Sequence, residues 1–256
     1  MKTMSDEKGK EDLGEEIASV SEETLVGELR ARAVAAVRGE DDLSEMALRI
    51  MESAMALFAK KGYAATSVRE IVQAAKVTNP MLYYYFESKE GLFYKLIEVL
   101  FGEMEKEVQR TLELTRGENF KRQLREVIRI HLELAVGSPT ALQFIYAVLF
   151  GPRDSRPDFD PLSQRAATFL VIFDLFEQAT ARGDFTPHEG LNTAFLVQQF
   201  FGMLNQYMLF LLVEHTRGVN PSVEPPFFSA MACEGEEQVE RLLDFFLRGA
   251  GTVCER

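Results

Sequence analysis

The chain has 256 residues, 46% of them hydrophobic and 27% charged, an ordinary globular composition with enough length to bury a large core in one or two domains. Its net charge of −12 argues against diffuse binding to polyanions and leaves any such affinity to a local patch. No run of 18 or more apolar residues is present and the first 30 residues are acidic without an apolar h-region, so neither a membrane span nor a signal peptide is expected.

Residues 1–44 read as an acidic N-terminal extension. Residues 1–20 are polar and lack apolar periodicity, the composition of a disordered tail. In residues 21–38, Ser21 is a candidate cap, and Leu25, Leu29 and Val34 or Ala33 recur at helical spacing. Residues 1–45 carry 6 basic and 13 acidic side chains, net −7, whereas residues 46–95 carry 7 and 4, net +3. The only positive stretch is therefore 46–95.

Ser44 is a candidate N-cap, followed by Glu45 near the positive end of the helix dipole. Met46, Ile50, Ala54 and Leu57 fall on one stripe, and Gly62 with Lys60 and Lys61 marks the stop. Thr66 or Ser67 caps a second helix whose buried stripe is Val68, Ile71, Val72 and Ala75. Lys76-Val77 is the turn. Thr78 opens a short third helix, where its hydroxyl is expected to accept the Met81 N–H. Pro80 in the first turn costs nothing and pre-sets φ. Leu82 and Phe86 face inward, which leaves Asn79, Met81, Tyr83, Tyr84 and Tyr85 on the other faces. Asn pairs bidentately with adenine, Met contacts a thymine methyl, and Tyr hydroxyls bind phosphate. Lys89, just past the cap Ser88, stands where a helix N-terminus adds its own attraction for phosphate. Two helices joined by a tight turn, the second loaded with such residues, form a helix-turn-helix, expected over 45–92.

From Ser88 onward helices are expected near 89–115, 120–137, 139–150, 160–182, 189–216 and 235–249, with no persistent β-alternation. The chain is read as all-α: an N-terminal three-helix helix-turn-helix domain and, over 93–256, a larger helical domain. Seventeen of the 20 Phe lie after residue 95. Phe169, Phe173 and Phe176 share a face. Helix 189–216 carries Phe195, Phe200, Phe201, Met203, Tyr207, Met208 and Phe210 and is apolar almost all round, so it must be buried on more than one side. The aromatics read either as plain core packing or as a largely apolar cavity between helices, with His131, Tyr146, Asn205 or Gln206 as polar orienting groups. The candidate effector set is His131, Tyr146, Phe169, Phe173, Phe200, Met203 and Tyr207. The last helix presents Val239, Leu242, Leu243, Phe246 and Leu247. Two such helices can bury their outer faces against the same pair from a second copy, with Gly202 permitting close approach. Cys233 and Cys254 have no Cys or His neighbours at ligand spacing and fit a reduced, cytoplasmic protein. The three His are scattered, and no nucleophile–base spacing, metal cluster or phosphate loop is evident, so no enzyme, cofactor or metal is expected.

The stretch R-I-M-E-S-A-M-A-L-F-A-K-K-G-Y-A-A-T-S-V-R-E-I from Arg49, continued by L-Y-Y-Y-F-E-S-K-E-G-L-F, resembles the DNA-binding domain of the TetR/AcrR family of bacterial regulators over about 45 residues. By that resemblance Thr66 and Ser67 touch phosphate, and Thr78, Asn79, Pro80, Met81 and Tyr84 or Tyr85 approach base edges. Tyr83 and Lys89 would bind the DNA backbone. The resemblance implies a dimeric repressor on a near-palindromic operator, released by a small, largely hydrophobic effector. The alternative is a regulator without such an effector, answering to a protein partner through the acidic N-terminal segment. Two departures stand out: the N-terminal extension, and Lys76 where the family's turn has glycine, a left-handed position that costs Lys about 1 kcal/mol.

Overall fold

The computed structural model describes residues 44–158, 160–217 and 235–253; the expected helix at 21–38 and both cysteines lie outside them. Nine α-helices are described: α1 Ser44–Lys61, α2 Val68–Ala75, α3 Asn79–Phe86, α4 Lys89–Leu114, α5 Phe120–Gly137, α6 Pro139–Phe150, α7 Pro161–Arg182, α8 Thr193–Arg217 and α9 Gly235–Ala250. The protein is all-α, as the periodicity predicts. Several starts are fixed by side-chain caps. Ser67 and Glu70 form a reciprocal capping box at α2, Ser88 accepts the Gly91 N–H at 2.9 Å, and Asn119 accepts the Arg122 N–H at 2.9 Å. Each such cap supplies about 1 kcal/mol by satisfying N–H groups that the helix leaves open.

Three details differ from the sequence reading. α8 starts at Thr193 rather than 189, because Gly190 takes φ 85 and Asn192 then caps the Phe195 N–H. A short antiparallel ladder, β1 Phe185–Pro187 with β2 Gly251–Val253, ties the end of α9 to the turn after α7. Three-residue strands are too short to show alternation. Gly251 is required there, since a Cβ would lie 2.2 Å from the Thr186 carbonyl oxygen. Finally, Thr78 makes no side-chain cap; its backbone carbonyl, not its hydroxyl, accepts the Met81 N–H at 3.1 Å.

Two principal cores result. The first joins α1, α2, α3 and the first half of α4, and it takes in Phe144 and Val148 of α6. Phe58, Phe93 and Phe144 meet with ring centroids about 6 Å apart, so α6 lies along α1 and shares its core. The second core joins α5, α7, α8 and α9 to the far half of α4. Phe176 is its centre, packing on Phe120, Phe185, Phe200 and Phe246. Arg125 of α5 pins α9 by ion pairs to Glu236 and Glu240. α4 thus runs from one core into the other, and α6 reaches the first while its Leu142 and Tyr146 pack with Ala135 of α5 and Leu212 of α8.

Candidate nucleic-acid interface

α2 and α3 form the helix-turn-helix. The hinge between them is set by Lys76 at φ 55, ψ 44, the left-handed conformation expected of the missing glycine. Its strain is offset in part by Arg49, whose guanidinium donates to the Ala75 carbonyl and, at 3.3 Å, to the Lys76 carbonyl. A charged donor at the end of α2 satisfies oxygens the helix leaves open.

α3 buries only Leu82 and Phe86. Thr78, Asn79, Pro80, Tyr83 and Tyr84 are exposed, and Met81 and Tyr85 are half-buried. Tyr84 is 70% exposed and stands edge-on to Tyr85. A ring so open on an eight-residue helix has no place in either core. Asn79 and Pro80 sit at the N-terminal end of α3, with the capping box and exposed Arg69 of α2 in the preceding helix.

Two residues expected on phosphate are placed differently. Thr66 is 1% exposed, and its hydroxyl donates to the Gly62 carbonyl at 2.8 Å; it locks the end of α1 and cannot reach a ligand. That expectation is corrected. Lys89 is half-buried: its ammonium donates to the carbonyls of Tyr63 at 3.0 Å and Thr66 at 2.8 Å, and it lies 4.0 Å from the Tyr63 ring centroid. Burial lowers its pKa, while burial followed by the Glu90 charge raises that of Tyr63. Lys89 therefore clamps the α1–α2 loop onto α4, with two of its protons committed. Ser67 remains exposed, but its hydroxyl is engaged with Glu70.

The loop after α6 completes this end of the molecule. Ala64 N–H donates to the Ser155 carbonyl at 3.1 Å, and the Tyr94 hydroxyl donates to the Asp158 carbonyl at 2.9 Å. The α1–α2 loop is thus held from two sides, by Lys89 and by the segment leading to α7.

Of the seven expected effector residues, Phe169, Phe173, Phe200, Met203 and Tyr207 belong to or pack against the second core, and His131 meets it through Phe201. His131, Phe169 and Phe173 join Phe201 in a chain of ring contacts, His131–Phe201 at 6.1 Å, Phe169–Phe201 at 6.3 Å and Phe169–Phe173 at 6.5 Å. The His131 Nδ1 donates to the Val127 carbonyl at 2.7 Å. Phe200 meets Phe201 edge-on at 5.7 Å and is fully buried, with Phe246 on its other side at 5.3 Å. Tyr146 belongs to a smaller cluster with Leu142 and Leu212 and donates to the Asn205 carbonyl at 2.6 Å. Met203 and Tyr207 line an open groove of about 910 Å³ between α8 and α9, with Phe195, Phe210 and Phe245. Phe245 there is 74% exposed. Of the seven, Met203 and Tyr207 line this groove. Periodicity shows that a residue turns inward but not which neighbour it meets. Three buried carboxylates also escaped the sequence reading: Glu126 of α5, and the pair Glu103 and Glu107 of α4. The signal of the pair was available: acidic residues four apart on a face otherwise continued by Leu96 and Val99.

The molecule is thus an all-helical protein with an N-terminal helix-turn-helix and a larger helical body. Residues 50–96 match the family described as bacterial regulatory proteins, tetR family, and the helix-turn-helix of this chain is a TetR-family domain. Over 48 residues the chain is 46% identical to an uncharacterised regulator, YuxN of Bacillus subtilis, covering 19% of this chain and 16% of that one. It is 33% identical over 76 residues to the transcriptional repressor NicS of Pseudomonas putida, covering 29% and 36%. The chain matches less than half the length of these relatives. Among solved structures, the fatty acid degradation regulator FadR from Bacillus halodurans is similar at a TM-score of 0.58 and 16% identity, over 83% of this chain and 98% of that one. At that identity the likeness is one of fold.

Proposed function

We propose that the chain is a dimeric transcriptional repressor that binds a near-palindromic operator through α3 and is released by a small, largely hydrophobic effector. The observation carrying the reading is α3 itself, which holds Asn79, Pro80, Tyr83 and Tyr84 outward on two buried anchors in a TetR-family domain. In this reading residues 45–92 bind DNA and 93–256 bind the effector and a second copy, in the cytoplasm. Asn79 reads a base edge, while Ser67, Tyr83 and any remaining donor of Lys89 meet phosphate.

The groove between α8 and α9 supports the dimer. Phe195 and Phe245 are exposed apolar side chains along it, Leu209 is exposed on α8, and a Cβ on Gly202 would meet nothing within 4 Å. An apolar face of this kind suits a self-complementary contact with the same face of a second copy. Effector binding would act on DNA through the two elements that join the cores, α4 and α6, by changing the spacing of the two α3 helices. By linkage, operator and effector must weaken each other by the same factor.

The test is binding to a duplex selected from a random pool. Asn79→Ala should cost about 1–3 kcal/mol at one base pair and relax preference there, whereas Tyr83→Phe should weaken selected and random duplexes alike. Equal losses on both duplexes for Asn79→Ala would overturn the base-reading assignment.

A further inference from the structure

Residues 46–95 carry seven basic side chains, and the fold engages four of them. Arg49 donates to the carbonyls that end α2, and Lys89 to those of Tyr63 and Thr66. Lys61 and Lys95 pair with Glu70 and Glu98. Lys60, Arg69 and Lys76 are exposed and make no hydrogen bond or ion pair through their side chains among the described residues.

Lys76 differs from the other two because its backbone costs the fold stability. It holds φ 55, ψ 44, at a helix end where the Val77 N–H reaches back to the Val72 carbonyl at 2.9 Å. Glycine is the residue that suits such a position. Arg49 satisfies the Lys76 carbonyl, but among the described residues nothing meets its ammonium. A strained residue whose side chain has no partner in the fold points to a role outside it. Its location suits one. Arg69, Gln73 and Lys76 follow one another at helical spacing along the exposed side of α2, about 10 Å from first to last and away from the buried Ile71, Val72 and Ala75. In a helix-turn-helix the first helix crosses the DNA backbone while the start of the second enters the groove. Lys76 stands where α2 gives way to α3, three residues before Asn79.

We infer that Lys76 is a DNA-backbone contact: its ammonium meets a phosphate beside the groove that Asn79 enters, and lysine stands in the turn for the sake of that contact. This rests on the DNA-binding reading above and adds one phosphate per chain to it. Such a contact carries no sequence information. It raises affinity for any duplex and makes that affinity more sensitive to salt, at the expense of the free protein's stability.

The experiment measures binding of the full chain to selected and random duplexes across a KCl series, with Tm alongside. Lys76→Gly and Lys76→Asn remove the charge and suit a left-handed turn. Both should weaken the two duplexes by the same factor, about threefold to tenfold per chain in dilute salt, and lower the slope of log K against log salt by about 1 per chain. Lys76→Arg should keep the slope, as should Lys95→Gln, which removes a cation paired with Glu98. The Tm of Lys76→Gly should equal or exceed that of the wild type; a lower Tm would make the lysine a structural residue and overturn the inference. An unchanged slope in the uncharged variants, or a loss confined to the selected duplex, would also overturn it while leaving the DNA-binding reading in place. So would tighter binding by those variants, the result expected if the chain's own acidic segment were the lysine's partner. Failure of the wild type to bind either duplex would overturn both.

Discussion

The helix-turn-helix end and the α4–α9 body stabilise themselves by different means. In the first, short helices bury few side chains each and depend on caps and clamps: the Ser67–Glu70 box, Arg49 at the end of α2, Lys89 across two carbonyls. Helices of eight residues are marginal alone, so polar bonds at their ends carry much of the geometry. In the second, long helices interlock through phenylalanines centred on Phe176, and polar bonds trim the edges. The first holds functional groups outward at fixed angles. The second turns apolar groups inward and leaves one face, between α8 and α9, unfinished. They are joined by α4 and by α6, whose Phe144 sits in the other region's core.

The largest effect should come where the two regions meet. Phe93 is 1% exposed and touches Phe58, Tyr63 and Phe144. Phe93→Ala should cost about 3–5 kcal/mol in denaturant unfolding and abolish DNA binding. If α4–α9 unfolds unchanged while only the N-terminal helices loosen, α6 is not the joint described. Next, Lys89→Met keeps the packing over Tyr63 but loses two charge-assisted hydrogen bonds, a loss of about 1–3 kcal/mol. A purely DNA-facing lysine would weaken binding with no change in Tm, so a drop in Tm separates the clamp from a surface contact. Lys76→Gly should then gain about 1 kcal/mol by relieving the left-handed backbone; no gain would mean that Arg49 already offsets the strain.

The smallest effect is electrostatic. Glu70, hydrogen-bonded first by Lys61 and then by Ser67, has its pKa lowered to about 2 from an ordinary 4.5. A depressed carboxylate stabilises the fold above its unfolded value and loses that contribution as pH falls through its folded one. The Tm difference between wild type and Glu70→Gln should therefore hold steady above about pH 4.5 and fade toward pH 2. The group is exposed, so the difference should be small and should shrink with salt.

The same contrast explains what was legible in the sequence. α3 is a local object: Pro80, Leu82 and Phe86 fix its phase, so the exposure of Asn79 and Tyr84 could be read from eight residues. Helix ends were legible where Ser88 or Gly62 marks them. The body is non-local. Phe200 and Phe201 are neighbours in the chain, yet one meets Phe246 and the other His131, and nothing in their spacing distinguishes them. Thr66 and Lys89 carry the right residue types for phosphate, but each found a carbonyl of the α1–α2 region first. The β1–β2 ladder pairs two segments distant in the chain, each too short to announce itself.

The most direct test of the account is the stoichiometry of the full chain on a selected duplex, by sedimentation with footprinting. Two chains should occupy two half-sites related by a two-fold, one on each successive major-groove face, and Gly202→Leu should lose the dimer and the footprint together. A single chain protecting one unpaired half-site, or a Gly202→Leu monomer binding DNA as tightly as the wild type, would contradict it.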